Sequence, residues 1–137
     1  MKKILFAASE AVPFMKTGGL ADVTGSLPKY FDKKNYDVRV ILPKYVCMEE
    51  RWKGQLHFLC HFYVNLSWRK QYVGIFETTY DGITYYLVDN EFYFAGNAPY
   101  NNIYEDVEKF AFFSKAVLEA LPYLDFCPDI IHCHDWQ

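Results

Sequence analysis

Apolar residues follow two different periods along this chain, and the change from one to the other divides it into three parts. Residues 3–9 form a nearly continuous apolar run, which is typical of a strand covered on both faces. An amphipathic pattern over residues 20–34 predicts a helix, and residues 36–42 form a second apolar run that ends at Pro43. The residues predicted to share one side of the helix are Leu20, Val23, Thr24, Leu27 and Phe31.

This first part has the order strand, helix, strand. Such a βαβ unit favours a parallel sheet with a right-handed crossover. Pro28 lies inside the predicted helix and removes one of its backbone hydrogen bonds, so we expect a kink or a restart near Ser26.

The middle of the chain alternates instead. Apolar residues recur at every second position over residues 56–66, and residues 72–80 and 83–88 continue in the same style. Asp81 and Gly82 between the last two runs indicate a tight hairpin. We therefore predict an antiparallel insertion attached to the parallel sheet.

A second helix is predicted over residues 103–121, after a polar loop at 97–102 and before Pro122. Its predicted buried stripe comprises Val107, Phe110, Ala111, Val117, Leu118 and Leu121. Residues 129–137 form another strand that runs into a polar tip. The expected class is α/β, and because the chain stops just past a strand, we expect it to be part of a longer protein.

Composition narrows the function classes. The 137 residues are 52% hydrophobic and 20% aromatic, which suits one domain with a packed core. A net charge of −3 without a basic run argues against nucleic-acid binding. No apolar run reaches the roughly 18 residues that a membrane span needs, and Glu10 follows the first run too soon for a signal peptide. We therefore expect a cytoplasmic protein.

The four cysteines form no CxxC pair. In a cytoplasmic chain of this size, buried free thiols are the expectation. The residues are Cys47, Cys60, Cys127 and Cys133, and Cys127 is expected in the core.

Two polar clusters follow predicted parallel strands, and the carboxyl ends of such strands share one edge of a sheet. One cluster holds Ser9, Glu10 and the loop at residues 16–22, and the other holds His132, His134 and Asp135. In the loop, a lysine and two glycines precede a helix start. Free N–H groups and the positive end of the helix dipole attract an anion there, so the loop is a candidate phosphate site.

Each cluster has a plainer interpretation. A pair of glycines before a helix is often only a turn, and neither a dinucleotide fingerprint nor a Walker motif is present. His132 and His134 point to one face of a strand, yet no third and fourth ligand stand at suitable spacing, so we predict no metal. The aromatic run at residues 92–94 could stack on a sugar, but we favour its burial.

Taken together, the motifs resemble the amino-terminal part of bacterial glycogen synthases and plant starch synthases, the ADP-glucose-dependent glycosyltransferase family 5. The shared stretches, in the expected order, are Ser9-Glu10, 16–23 (KTGGLADV), 37–43 (DVRVILP), 109–114 (KFAFFS) and 129–137 (DIIHCHDWQ). The combination is specific, although no single stretch would be.

The resemblance implies a GT-B architecture, in which two Rossmann-like domains face each other across a cleft. Residues 1–137 would form part of the first domain, a Rossmann-like parallel sheet with the antiparallel hairpin insertion. The carboxyl-terminal nucleotide-binding domain would be absent. The implied reaction moves glucose from ADP-glucose to the non-reducing end of an α-1,4-glucan such as glycogen, with retention and without a metal or other cofactor.

The resemblance also implies residue roles. Lys16 would lie near the donor's diphosphate, Gly18 and Gly19 would let the backbone approach the donor, and His134 would face the transferring glucose. The other expected substrate-binding residues are Glu10, Asp22 and Asp135. Two alternatives stay open: a glucan-binding or regulatory module that works alone, and a related GT-B enzyme that uses UDP-glucose. With half of the cleft missing, we expect residues 1–137 by themselves to be inactive.

Overall fold

A computed structural model describes all residues, 1–137, and arranges them as one six-stranded sheet with packed layers on both faces. The strands are β1 (Lys2–Ala7), β2 (Tyr36–Pro43), β3 (His57–Leu66), β4 (Arg69–Tyr80), β5 (Ile83–Asp89) and β6 (Ile130–Cys133). The helices are α1 (Gly19–Ser26), α2 (Glu50–Lys53) and α3 (Ile103–Ala120), and short 3₁₀ turns cover Leu27–Tyr30 and Leu121–Tyr123.

The sheet confirms the predicted α/β class. Its strand order is β3-β4-β5-β2-β1-β6. The strands β2 and β6 both pair with β1 in parallel, and β3 and β4 are antiparallel. The antiparallel insertion is attached to the parallel sheet as predicted, because β5 pairs antiparallel with β4 and parallel with β2. The antiparallel strands thus continue the parallel sheet, and β5 is buried on both faces like a central strand.

The first strand is shorter than the apolar run that predicted it. Ile4, Leu5 and Phe6 are all buried, so both faces of β1 are covered as expected. The strand ends at Ala7, and the buried Ser9 and Glu10 already belong to the following loop. A buried polar residue just beyond a strand must find partners inside the protein.

The helix predicted over residues 20–34 is wrong in its second half. The α-helix ends at Ser26 and a 3₁₀ turn follows, so the expected break near Ser26 is confirmed. Its buried face is also different, since Val23 and Leu27 are exposed while Thr24 and Gly25 are buried. This helix packs through small residues, because a Cβ on Gly25 would lie only 2.3 Å from Cγ2 of Val12.

The buried stripe predicted for α3 is also partly wrong. Phe110 and Val117 are buried, but Val107, Ala111 and Leu118 are exposed. Apolar residues occur on both sides of this helix, so periodicity alone could not choose between them. The side chains that face inward are Asp106, Lys109, Phe110, Phe112, Phe113, Ala116, Val117 and Ala120.

The cysteines are less buried than expected. Cys47 and Cys60 are half-buried, whereas Cys127 and Cys133 are exposed, and all four are free thiols. The prediction that Cys127 lies in the core is wrong.

Only two residues of the aromatic run at 92–94 are buried. Tyr93 and Phe94 are buried as favoured, but Phe92 is exposed. No helix in the fold combines the length and the apolar character that a membrane crossing requires.

Candidate functional site

Parallel pairing brings the two polar clusters to one edge of the sheet. In the register of β1 and β6, Phe6 lies opposite His132 and Ala7 lies opposite Cys133. The pairing continues one residue further, where the N–H of His134 donates to the carbonyl of Ala7 at 3.0 Å. The chain therefore leaves both strands at the same edge, as the sequence predicted.

The loop after β1 is fastened by a buried carboxylate. Glu10 is only 2% exposed. One of its oxygens accepts from the N–H of Thr17 at 3.1 Å and from its hydroxyl at 2.6 Å, and the other accepts from the N–H of Gly18 at 3.3 Å. The protein itself thus supplies an anion beside the start of α1, where the helix dipole favours one. One of the two N–H donors expected to face a ligand is already engaged.

Lys16 directly precedes Thr17 in this loop. Its Nζ lies 2.9 Å from both carboxylate oxygens of Asp22, and both side chains are about half exposed, at 53% each. An exposed pair of this kind contributes roughly 0–1 kcal/mol to stability. Lys16 can therefore exchange Asp22 for another anion at little cost.

The two glycines face open space. A Cβ added at Gly18 or Gly19 would meet no atom within 4 Å. Gly18 is extended, with φ −163°, a conformation that any residue adopts. Nothing inside the chain therefore requires glycine at these two positions, in contrast to Gly25. The surface in front of α1 is left free for a ligand to approach the backbone.

His134 lies in an aromatic setting at the tip of β6. Its ring centroid is 4.6 Å from that of Phe6 and 4.4 Å from that of His132. Burial lowers the pKa of His134 below its usual 6.5, and the charge of His132 lowers the pKa further. The ring is therefore neutral at pH 7. Its Nε2 is buried and has no hydrogen-bond partner in the protein.

A tyrosine that no sequence motif predicted contacts the first cluster. The hydroxyl of Tyr100 is 2.6 Å from Oγ of Ser9, while Tyr45 donates to the carbonyl of Ser9 at 2.7 Å. Burial raises the pKa of Tyr100 to about 12, and the nearby charges of Glu10 and Asp135 act in the same direction. The only sequence signal was a tyrosine in the polar loop at 97–102, just before a helix.

That loop is held by a buried ammonium group. Nζ of Lys109 donates to the carbonyl of Pro99 and to Oδ1 of Asn101, both at 2.7 Å, and lies 3.3 Å from Oδ1 of Asp106. Asp106 in turn accepts from the N–H of Asn101 at 3.1 Å. Helical periodicity could not reveal this pair, because lysine is rarely buried and its usual place is the solvated face.

The remaining predicted residue, Asp135, adopts a left-handed conformation with φ 62° and accepts from the N–H of Trp136 at 2.8 Å. No hydrogen bond joins the loop of Lys16 to the side chain of His134, so the shared sheet edge is what relates them. No group of three or more His, Cys, Asp or Glu side chains is placed to hold a metal ion.

Comparisons with known proteins agree on one family. The family described as starch synthase catalytic domain matches residues 3–137. A glycogen synthase of Lachnoclostridium phytofermentans is 69% identical over the whole chain, and one of Lachnospira eligens is 64% identical. The solved catalytic domain of starch synthase IV from Arabidopsis thaliana, bound to ADP and acarbose, matches 98% of the chain with a TM-score of 0.85 and 30% identity.

The chain is short beside these proteins. It spans 29% of the length of the two glycogen synthases and 28% of the starch synthase structure.

Proposed function

Because the chain belongs to the starch synthase catalytic domain family, we propose that the protein carrying it transfers glucose from ADP-glucose to the non-reducing end of an α-1,4-glucan with retention. The names of its relatives and the ADP and acarbose bound to the plant structure support this choice of donor and acceptor. The observation that carries the proposal is the shared edge of β1 and β6, which brings the Lys16 loop and His134 to one side of the sheet.

The Lys16 loop would stabilise the negative charge of the leaving group. Breaking the sugar–phosphate bond builds negative charge on ADP, and preorganised positive groups stabilise such charge. Lys16 would release Asp22 and turn to the diphosphate, while the start of α1 adds its dipole. The open space at Gly18 and Gly19 lets the backbone come close to the donor.

Glu10 is better suited to bracing this loop than to touching substrate, because it is buried and both of its oxygens are engaged by Thr17 and Gly18. We keep it in the site as a positioning residue. Asp22 would hold Lys16 in place until the donor arrives.

His134 would orient the transferring sugar. The transferring glucose gains positive, oxocarbenium-like character, which a charged imidazole would oppose. A neutral His134 with an unpaired Nε2 can orient a hydroxyl without that penalty. Asp135 would shape the tip that carries it.

We also propose that residues 1–137 form part of the first of two Rossmann-like domains, with the nucleotide-binding domain beyond them. The transfer would take place in the cytoplasm and require no metal or cofactor. Residues 1–137 alone would then show negligible transfer, because the other wall of the cleft is missing. Measurable ADP release by the isolated chain would contradict this division.

The test compares two lysines in the intact protein. Lys16→Ala should lower ADP release from ADP-glucose, with glycogen as acceptor, by at least about tenfold, or about 1.4 kcal/mol in barrier. Lys29 forms a similar exposed ion pair with Asp81 at 2.6 Å, far from the site, so Lys29→Ala is the matched control and should keep the rate. An unchanged rate in Lys16→Ala would remove this residue from the mechanism. Running both donors side by side tests the alternative of UDP-glucose.

A further inference from the structure

One edge of the sheet is a long strand that carries no charged side chain other than histidine. β3 is the first strand in the order β3-β4-β5-β2-β1-β6, and its ten residues, HFLCHFYVNL, include no Asp, Glu, Lys, Arg or Pro. Edge strands are usually short or carry charges or Pro, because an open edge is a template for pairing with another chain. β6, at the other edge, has only four residues. The edge of β3 therefore lacks the usual protection against pairing.

Most of β3 has a regular backbone. The one break in its register with β4 lies between Phe58 and Cys60, and from there residues 60–66 pair with β4 without interruption. In an antiparallel edge strand, successive residues direct their N–H and C=O groups alternately toward the neighbouring strand and away from it. Every second residue of this stretch therefore offers its backbone groups to the outside of the sheet.

The residues that offer these groups are His61, Tyr63 and Asn65. The carbonyl of Asn65 accepts from Nζ of Lys115 on α3, so Asn65 faces away from β4. Tyr63 and His61 precede it at steps of two residues and face the same way. Outside the strand pairings, no backbone–backbone hydrogen bond involves residues 57–66. The N–H groups of these three residues are thus free to pair.

A row of rings accompanies the free backbone groups. Tyr63 is 54% exposed, and its ring lies 5.9 Å from that of Tyr72. The ring of His61 also lies 5.9 Å from that of Tyr72. The opposite face of β3 is packed in the core, where Phe62 is only 8% exposed. A strand added beside β3 would therefore extend both the backbone pairing and the exposed row of rings.

The chemistry of this edge selects a neutral strand as its partner. Because β3 carries no Asp, Glu, Lys or Arg, neither an acidic nor a basic segment gains electrostatic attraction from it. β3 of a second copy matches it in length, in neutrality and in aromatic side chains. Two copies that pair antiparallel are related by a two-fold axis, and such a contact closes on itself and covers both open edges.

We propose that β3 pairs with β3 of a second copy of this chain, antiparallel and centred on Tyr63. Tyr63 then lies opposite Tyr63 of the second copy, and His61 lies opposite Asn65. Each of these pairs exchanges two backbone hydrogen bonds, so the contact gains about six. The carbonyl of Asn65 has a second lone pair for this purpose beside its bond to Lys115. The sheet thereby continues from one copy into the other.

This pairing leaves the transfer site open. Four strand spacings of about 4.8 Å separate β3 from β1, which is roughly 19 Å. The loop of Lys16 follows β1 and His134 follows β6, on the far side of the sheet. The inference therefore goes beyond the proposed function and does not depend on it, and the rate of transfer per chain should be the same in the monomer and the dimer.

The experiment measures the mass of the intact protein by light scattering after size-exclusion chromatography over a concentration series. The wild type should dimerise. Tyr63→Lys and Tyr63→Glu each place like charges opposite one another, so each should raise the dimer dissociation constant by about tenfold or more. An equimolar mixture of the two variants brings an ammonium group opposite a carboxylate and should restore the dimer. Tyr30→Lys is the matched control, because Tyr30 is 84% exposed and lies in a 3₁₀ turn outside the sheet.

Hydrogen exchange locates the contact. The amides of residues 61–65 should exchange more slowly in the wild-type dimer than in Tyr63→Lys. A wild type that stays monomeric, a dimer that persists in both variants, or a mixture that fails to dimerise would overturn the proposal. So would a lower melting temperature of both variants as monomers, since another segment of the same chain would then cover β3. A dimeric wild type that transfers no glucose would refute the proposed function and leave this pairing intact.

Discussion

The carboxylate of Glu10 holds Thr17 by two hydrogen bonds, at 3.1 Å to its backbone N–H and at 2.6 Å to its hydroxyl. The two ends of the loop between β1 and α1 are thereby joined across seven residues of sequence. A buried carboxylate is costly unless it is fully hydrogen-bonded, and here the N–H of Gly18 and the start of the helix offset the cost. The loop that carries Lys16 is thus set in place before any ligand arrives.

Replacing this carboxylate by an amide should loosen the loop. In Glu10→Gln, the new NH₂ group would face an N–H or O–H donor in place of an acceptor. We expect the free energy of unfolding to fall by about 1–3 kcal/mol and the KM for ADP-glucose to rise. Urea denaturation and initial-rate kinetics of the intact protein measure the two effects.

The matched control is Glu49→Gln, since Glu49 pairs with Arg51 on the surface. Its unfolding free energy should change by less than about 1 kcal/mol. If Glu10→Gln behaved like this control, the bracing role of Glu10 would be excluded.

Two glycines near the site should respond differently to alanine. A Cβ at Gly25 would lie 2.7 Å from the carbonyl oxygen of Val12, which is backbone and cannot rotate away, so Gly25→Ala should destabilise the protein by about 1–3 kcal/mol. Gly19→Ala meets open space and should leave the melting temperature unchanged or slightly higher. If a donor binds against this backbone, Gly19→Ala should still weaken donor binding, which isothermal titration with ADP-glucose would detect.

Removing one partner of the buried ion pair between Lys109 and Asp106 should strongly destabilise the fold. Lys109→Met removes the ammonium group and leaves Asp106 with a buried charge, which costs about 3–5 kcal/mol of unfolding free energy. Lys115→Met is the control, because Lys115 bonds only to the exposed carbonyl of Asn65. Equal melting temperatures for the two variants would contradict the role of Lys109 in holding the loop at 97–102.

Stability should depend on pH through His134. Because burial lowers the pKa of His134 in the folded protein, the unfolded chain binds the proton more readily. The unfolding free energy should therefore fall as the pH drops below about 6.5 and level off below the folded pKa. His134→Gln should show a shallower fall than the wild type in denaturation curves recorded from about pH 8 to about pH 5.5, as expected for a group whose folded pKa is lowered. Parallel curves for the wild type and His134→Gln would disprove this assignment.

The sequence predicted the strands and the hairpin better than it predicted the buried faces of the helices. The continuous apolar runs around Leu5 and Ile41 and the turn at Asp81 and Gly82 lead directly to the observed strands and hairpin. The faces of α1 and α3 were harder, because α1 packs through small residues such as Gly25. In α3 both sides carry apolar residues, so Val107 and Phe110 look equivalent in sequence although only Phe110 is buried.

By contrast, the sequence itself showed which short segments carry candidate site residues. A lysine, two glycines and a helix start at residues 16–23, and two histidines beyond a strand, are properties of short segments. Parallel pairing of β1 and β6 follows from the same runs, so the meeting of these segments at one edge was also predictable. These features depend on backbone geometry and residue type over a few positions.

Only the tertiary structure determined which polar groups form hydrogen bonds across long separations in sequence. The bond between Ser9 and Tyr100 spans 91 residues, and the burial of Lys109 depends on a loop that folds back over it. Such partners are chosen by packing and by the need to satisfy buried polar groups, which no local period encodes. The sequence therefore determines which chemical groups the site contains, and the fold determines that Glu10 braces the loop and that Tyr100 bonds to Ser9.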